Sequence, residues 1–238
     1  MTASRRGLPP LSRVRWNKTY RLIPSRYPPI DLFERIADPA DWEVIAEIES
    51  LTNDRLRDEV GDISAVPVTE RVVGPGASPI MAAFTHIGFA SRFTDGRFGV
   101  YYASNRFEGA LREVLHHRAL FLGRTAEPKT HFDLRTYVGR IDAELRDIRG
   151  GWAPAHDPSS YAHSQALANQ VRKSGGNGIV FDSVRHPAAA NIAVFRPSLL
   201  AAKAGKPHVI QASHIRVEWN GVRMSRYIVI GEASWTAL

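Results

Sequence analysis

Apolar positions change period several times along the chain, and each change predicts an element. Val100, Tyr101, Tyr102 and Ala103 form a short β-branched and aromatic run, which predicts a strand. Directly after it, Phe107, Ala110, Leu111, Val114 and Leu115 recur at helical spacing and predict an amphipathic helix. Asn105, with Glu108 three residues on, predicts a capping-box start for that helix. Farther upstream, Trp42, Ile45, Ile48 and Leu51 repeat the helical period behind Asp38-Pro39, an N-cap and N1 proline. A helical turn at 31–36 and a short helix opening at Ser78-Pro79 complete an expected helical insertion over about 31–85, packed as a satellite on the core. Residues 19–23, 136–141, 178–185 and 191–195 predict further strands. A helix is expected after Asp157-Pro158, running to about Lys173 and closed by Gly175. Near the C-terminal end, 208–219 and 222–230 flank Asn220-Gly221, the signal of a hairpin with a two-residue type I′ turn. Ile215, Val217, Trp219, Val222 and Met224 are expected to share its apolar face.

The 238 residues are 44% hydrophobic, enough for one sizeable core, and include no cysteine. A disulfide framework and thiolate metal sites are thereby excluded, which suits a reducing cytoplasm. No apolar run approaches the ~20 residues of a membrane helix. The first 16 residues also lack the apolar core of a signal peptide, so a cytoplasmic protein without membrane contact is expected. The formal charge is +7, but it is unevenly placed. Residues 1–30 hold seven Lys and Arg and no acid, leaving 24 bases against 24 acids in the rest. The predicted organisation is a basic N-terminal arm, 1–15, on a neutral single domain, 16–238. A basic nucleic-acid-binding module is the other class such a charge suggests. Its positive charge belongs on the working face, and the neutral body counts against it.

Three residues around the central strand and helix do not suit a core. Arg92 precedes the strand, Tyr102 ends it, and Glu113 lies off the apolar stripe of the helix. Brought to one cleft, an Arg, a Tyr and a Glu suit a dinucleotide whose glycosidic bond is to be broken. The guanidinium clamps phosphate, the phenol ring stacks, and the carboxylate stabilises positive charge developing at an anomeric carbon. The same three are also what a surface arginine, a half-buried tyrosine and a solvated helix glutamate look like, and the residues alone leave both readings open. Other motifs are plainer. His116-His117 point apart on a helix and no H-E-x-x-H occurs, so ordinary helix histidines and no metal are expected. Gly74 and Gly76 belong to a turn, and Gly175-Gly176-Asn177-Gly178 lacks the spacing of a dinucleotide fingerprint. Ser183 has no G-x-S-x-G context and reads as a strand-end hydroxyl.

The order Arg92, Tyr102, Glu113 and, in a later strand, Ser183 resembles the RES domain, the family that supplies the toxins of RES–Xre type II toxin–antitoxin pairs. The stretch SQALANQVRKSGGNGIVFDSVRHPAAANIAVFRP, 164–197, resembles that family's helix, Gly-rich turn, Ser-bearing strand, Asn and closing hydrophobic strand. TYRLIPSRYPP, with Arg21, resembles its first strand, so the likeness covers about 19–200. The long segment between Arg21 and Arg92 is most similar to the ParT-like branch. Where the family usually carries Arg-Trp-Asn, this chain has Arg92-Phe93-Thr94, which keeps the aromatic and loses the Asn. The resemblance implies an α+β fold, a small, mostly antiparallel split sheet with flanking helices, as in ADP-ribosyltransferases. It implies a toxin that consumes NAD as substrate, cleaves the nicotinamide–ribose bond and passes ADP-ribose to a target protein. An NAD glycohydrolase or phosphorylase that depletes NAD is the alternative. In that reading Arg92 binds the diphosphate, Tyr102 stacks against the nicotinamide or its ribose, Glu113 acts on the ribose, and Ser183 completes the pocket. Arg21 and Asn191 join the NAD-binding residues. The implied partners are a cognate Xre-type antitoxin and the target protein, with no nucleic acid bound by the toxin itself.

Overall fold

One long strand pair, drawn from distant parts of the chain, organises the fold. The computed structural model describes residues 7–25, 61–125, 127–203, 205–232 and 234–238. β1 (Leu11–Pro24) pairs antiparallel along its whole length with β3 (Thr130–Asp147). Both strands run well beyond the 19–23 and 136–141 that periodicity predicts. The reason is an irregular ladder: the register shifts between Trp16 and Thr19, so the alternation expected of a single strand is broken. N-terminal to that bulge, Arg13 and Arg15 face outward and donate to Asp142 of β3. Residues 11–15 are therefore sheet and not a free basic arm. Residues 1–6 and the helices expected at 31–36 and from Asp38 to Leu51 lie outside the described residues.

β3 is where the sheet branches. Its first half pairs with β6 (Ile210–Trp219), which continues through β7 (Met224–Val229) to the short β8 (Thr236–Ala237). Its last residues pair with β4 (Gly178–Asp182), the one parallel pairing among the described strands. β4 pairs with β5 (Ala190–Val194), β5 with β2 (Tyr101–Ser104), and β2 returns to β1 at Tyr20 and Ser104. Five strands thus close a circuit, β1-β2-β5-β4-β3, with β6-β7-β8 as its branch. This is the mostly antiparallel α+β architecture expected, the split in the sheet taking the form of a fork at β3.

Three apolar clusters fill it. α1 (Ser78–Thr85) brings Ile80, Met81 and Phe84 onto Val14, Tyr101, Leu145 and Ile192, together with Ile63 and Val66. The described part of the expected insertion is therefore built into the main core and is no satellite. α2 (Phe107–Leu122) lays Ala110, Leu111 and Leu115 on Leu22, Leu134, Ile215 and Val217. α3 (Ala162–Lys173) buries Leu167, Ala168 and Val171 against Ile179 and Phe181. It ends as expected, with Gly175 at φ 73° and the Gly176 N–H returned to the Val171 carbonyl. No described helix is long and apolar enough to cross a membrane.

The C-terminal hairpin forms, but not with the expected turn. Gly221 has φ 95°, whereas Asn220 does not enter the left-handed region that a type I′ turn requires at both central positions. The connection is instead a wider loop closed by Asn220 Oδ1, which accepts the N–H groups of Val222 (3.0 Å) and Arg223 (2.9 Å). Val222 consequently points into solvent, while Ile215, Val217 and Trp219 are buried and Met224 packs beside them.

Candidate active site

The β2–α2 unit sets the site. α2 starts at Phe107 without a side-chain cap, because Asn105 is used elsewhere. Its Oδ1 accepts the Ala190 N–H (2.9 Å) and its own N–H donates to the Ala190 carbonyl, so Asn105 extends the β2–β5 ladder. Ser104 Oγ accepts the Arg106 N–H at the helix start instead. Gly109 then lets the helix approach the sheet closely. A Cβ there would lie 2.5 Å from Ser104 Oγ and 2.6 Å from Ala189 Cβ. One turn farther along, Glu113 is delivered to the end of the β4–β5 pair.

There its Oε1 accepts from Ser183 Oγ (2.8 Å) and Asn191 Nδ2 (3.2 Å). Ser183 Oγ in turn accepts the N–H groups of Arg185 and His186, which fixes the hydroxyl so that its hydrogen faces Glu113. Oε2 of Glu113 has no hydrogen-bond partner among the described residues. The carboxylate lines a cleft of about 340 Å³ together with Arg21, Arg92, Tyr102, His117, Tyr161 and Asn191. Ser183 stands behind Glu113, one hydrogen bond from its carboxylate, and is not among the residues that line the cleft. Asn191 Oδ1 and Arg21 Nε are buried without a partner among the described residues, at places where a polar ligand could satisfy them.

Arg92 is carried by a turn that the surrounding structure holds from three sides. Ser91 N–H and Thr94 carbonyl bond across the turn (2.8 Å), and Gln165 Nε2 donates to both the Ser91 and Thr94 carbonyls. Phe93 is buried and edge-packed on Phe181, its ring centroid 4.8 Å away. Tyr102 Oη accepts the Phe93 N–H (2.9 Å) and shares a hydrogen bond with Ser91 Oγ (2.8 Å). The Arg92 guanidinium lies over the Tyr161 ring at 4.9 Å, and its Nη1 donates to the carbonyls of Ala155 and Asp157. Those carbonyls belong to a turn that opens at Trp152, the one non-glycine residue of positive φ (57°) among the described residues. Strain of this kind collects where a loop must hold a fixed shape. Arg21 donates from Nη1 to the Tyr102 carbonyl and packs over the Tyr101 ring.

The electrostatics follow from burial. Desolvation lowers the pKa of Arg21 and of Arg92, the latter opposed by Tyr161 and Glu113. Burial raises the Tyr102 phenol to about 12 against the Ser91 and Phe93 bonds, so it is protonated at neutral pH. His116 and His117 are both held below their ordinary value, first by burial, with Arg185 adding to it at each. Arg185 Nη2 donates to His116 Nε2 (2.8 Å), which fits an unprotonated ring nitrogen. One carboxylate is thus surrounded by guanidinium groups and neutral imidazoles. Such a cleft suits an anionic ligand.

The structure brings Arg21, Arg92, Tyr102, Glu113 and Asn191 to one cleft and sets Ser183 one bond behind. Sequence reading missed His117, Tyr161 and Arg185, and took both histidines for ordinary helix residues. His117 was findable: it sits four residues after Glu113 and so shares its helix face. Tyr161 carried no signal, because its position depends on the turn that reaches across to Arg92.

Comparison with known proteins gives three findings. The family model of the RES domain matches residues 69–220, well over half the chain. That span includes Arg92, Tyr102, Glu113, Ser183 and Asn191 and leaves Arg21 outside. Among curated proteins, the uncharacterized protein y4oC of Sinorhizobium fredii (strain NBRC 101917 / NGR234) is 29% identical over 217 residues, 90% of this chain and 88% of that protein. Among solved structures, a chain from the crystal structure of the M. tuberculosis MbcT–MbcA toxin–antitoxin complex aligns over 88% of this chain and 87% of its own, with 8% identity and a TM-score of 0.42.

Proposed function

The chain belongs to the RES domain family, and on that premise we propose that it is the toxin of a bacterial toxin–antitoxin pair, an enzyme that cleaves NAD at the nicotinamide–ribose bond and transfers the ADP-ribose to a protein. The observation that carries this reading is Glu113: a carboxylate fixed through Oε1 by two neutral donors, with no donor on Oε2 among the described residues, in a cleft lined by Arg21 and Arg92. As the C–N bond to nicotinamide lengthens, its electron pair leaves with the ring nitrogen, and positive charge appears at the anomeric carbon. Glu113 stabilises that charge and accepts from the ribose hydroxyls. Arg92 and Arg21 balance the diphosphate in ground and transition states alike. Tyr102 supplies a flat wall for the nicotinamide or its ribose. Asn191 Oδ1, without a donor among the described residues, suits a ribose hydroxyl or the carboxamide N–H₂. A nucleophilic side chain of the acceptor then bonds to the anomeric carbon and releases its proton. Ser183 holds Glu113 in place throughout and is a positioning residue.

The toxin reading, the Xre-type antitoxin as partner and a cytoplasmic site of action rest on the family resemblance. The test is incubation of purified protein with NAD labelled in its adenylate half, with and without bacterial lysate. Release of nicotinamide, lost in Glu113→Gln, supports the reading. Release of free labelled ADP-ribose alone would favour the glycohydrolase alternative. Absence of any turnover by the wild type would defeat it.

A further inference from the structure

The Ser183–Glu113 bond ties the loop after β4 to α2 at one point, and one bond leaves both side chains free to turn about it. A second tie lies two residues on. Arg185 Nη2 donates to His116 Nε2 (2.8 Å), and His116 follows Glu113 by three residues on α2. The backbone N–H of the same Arg185 donates to Ser183 Oγ (3.3 Å), the hydroxyl that faces Glu113. Glu113, Ser183, Arg185 and His116 therefore close a ring between loop and helix. The other contact of Nη2, to the Pro158 carbonyl, is long at 3.4 Å. Arg92 is held independently, by the carbonyls of Ala155 and Asp157.

The choice of partners is unusual. Arg185 is half-buried, its Nε is buried without a partner among the described residues, and its side-chain bond at 2.8 Å goes to an imidazole. A carboxylate at position 116 would hold the guanidinium more strongly. It would also set a second negative charge one turn from Glu113, the one acid that lines the cleft, and oppose an anionic ligand. A neutral acceptor ties down the loop without that cost. Resting on the NAD-cleaving reading above, we propose that Arg185 and His116 are positioning residues acting as one unit, whose bond holds the Ser183 loop on α2 and so sets the Glu113 carboxylate. Neither lines the cleft. The bond exists only while His116 is unprotonated. Burial, then Arg185 and His117, and also Arg92 hold His116 below its ordinary 6.5, with Glu113 opposing. The ring is thus an acceptor at neutral pH. As pH falls below 6.5, protonation removes the lone pair and sets two cations face to face.

Nicotinamide release is measured over about pH 5–8 for Arg185→Met, His116→Leu, the double variant and His116→Gln, whose amide oxygen can accept from Arg185. Each of the first two should lower kcat by about tenfold with KM within about twofold, since Arg92 keeps its own supports. The double variant should be no slower than either single one, because one bond is lost in all three. His116→Gln should recover most of the kcat lost in His116→Leu, and should lose less activity than wild type as pH drops below 6.5. Nitrogen-15 NMR reads the pairing without turnover: His116 should carry its proton on Nδ1, and Arg185→Met should raise its pKa. Arg185→Met with near wild-type kcat would overturn the proposal. So would additive losses in the double variant, or a proton found on Nε2. A KM effect larger than the kcat effect would overturn it too, by making Arg185 a contact of NAD. Should the truncations fail to fold, His116→Gln decides, and an acid loss equal to that of wild type overturns the proposal. A wild type that releases no nicotinamide at any pH defeats the NAD reading itself, and this role with it, even with the NMR pairing intact.

Discussion

Glu113 and Glu218 are both carboxylates drawn out of solvent, yet their surroundings treat them oppositely. Glu218, on β6, has a side chain only 7% exposed and is crowded by donors. Ser225 Oγ bonds Oε1 at 2.7 Å, while Arg226 (3.0 Å) and Lys129 (3.1 Å) converge on Oε2. His131 adds a fourth approach. Among the described residues Glu113 has donors on one oxygen, both of them uncharged, and guanidinium groups line the cleft without closing on it. A carboxylate held on one oxygen by a hydroxyl and on the other by converging cations contributes to the fold and has little left to act with. A carboxylate clamped on one side by neutral groups keeps its charge for something that arrives later. The distinction is legible only in three dimensions, since the sequence shows two glutamates on amphipathic elements.

Exchanging the charge at each position breaks the comparison most directly. Glu113→Gln keeps the size of the side chain and removes the charge. NAD turnover should fall by ~10²–10³-fold, the usual effect of losing one such electrostatic contact. NAD affinity should move little, because the ground state carries no charge at the anomeric carbon. Turnover close to wild type would return Glu113 to the status of a solvated helix residue. Arg92→Ala should weaken NAD binding as well as turnover, since its contact exists in both states; titration calorimetry on the Glu113→Gln background would isolate the binding term.

Ser183→Ala sharpens the contrast by loosening the clamp and sparing the charge. Turnover is expected to drop by about tenfold with little change in KM, roughly the 1.4 kcal/mol of one hydrogen bond to a charged group. Ser183→Thr, which keeps the hydroxyl, should recover part of that loss. A KM effect larger than the kcat effect would mean that Ser183 touches NAD directly.

Glu218→Gln should leave turnover unchanged and lower the thermal midpoint. Its donors hold the folded pKa down at about 2, from an ordinary 4.5. A depressed carboxylate stabilises the fold above its unfolded pKa and loses that contribution as pH falls toward the folded value. The gap in stability between wild type and Glu218→Gln should therefore be full above pH 4.5 and shrink steadily toward pH 2. A gap that stays constant over that range would show the pairing to be unimportant.

Much of the element pattern could be read from the chain, because it rests on local periodicity: β2, α2, α3, β4, β5 and both arms of the hairpin lie where apolar spacing puts them. What escaped depends on partners far away in sequence. The first residues of β1, 11–15, looked like part of an arm because Arg13 and Arg15 are charged, and their pairing with β3, including Asp142, makes them strand residues. Asn105 looked like a cap because local rules cannot see the Ala190 N–H that claims its side chain. The cleft residues were named in order of sequence, but the role of Ser183 changed once its bond to Glu113 was on view. His117 and Tyr161 needed the assembled cleft to be recognised at all.

The closed circuit of strands also has a consequence in time. Apart from the single Tyr20–Ser104 pair with β2, β1 finds its described partner in residues 134–146, so its extended ladder waits until more than a hundred later residues exist. The cleft waits longer still, because Glu113 is fixed by Ser183 and Asn191, and Asn191 lies on β5, between β2 and β4. At synthesis rates of about 5–20 residues per second, that is on the order of ten seconds or more after Arg21 is made. Such non-local pairing also makes folding slow in its own right. A nascent or truncated chain accordingly lacks the whole constellation, and whatever chemistry the cleft performs begins only when about four-fifths of the chain has emerged and the ring has shut.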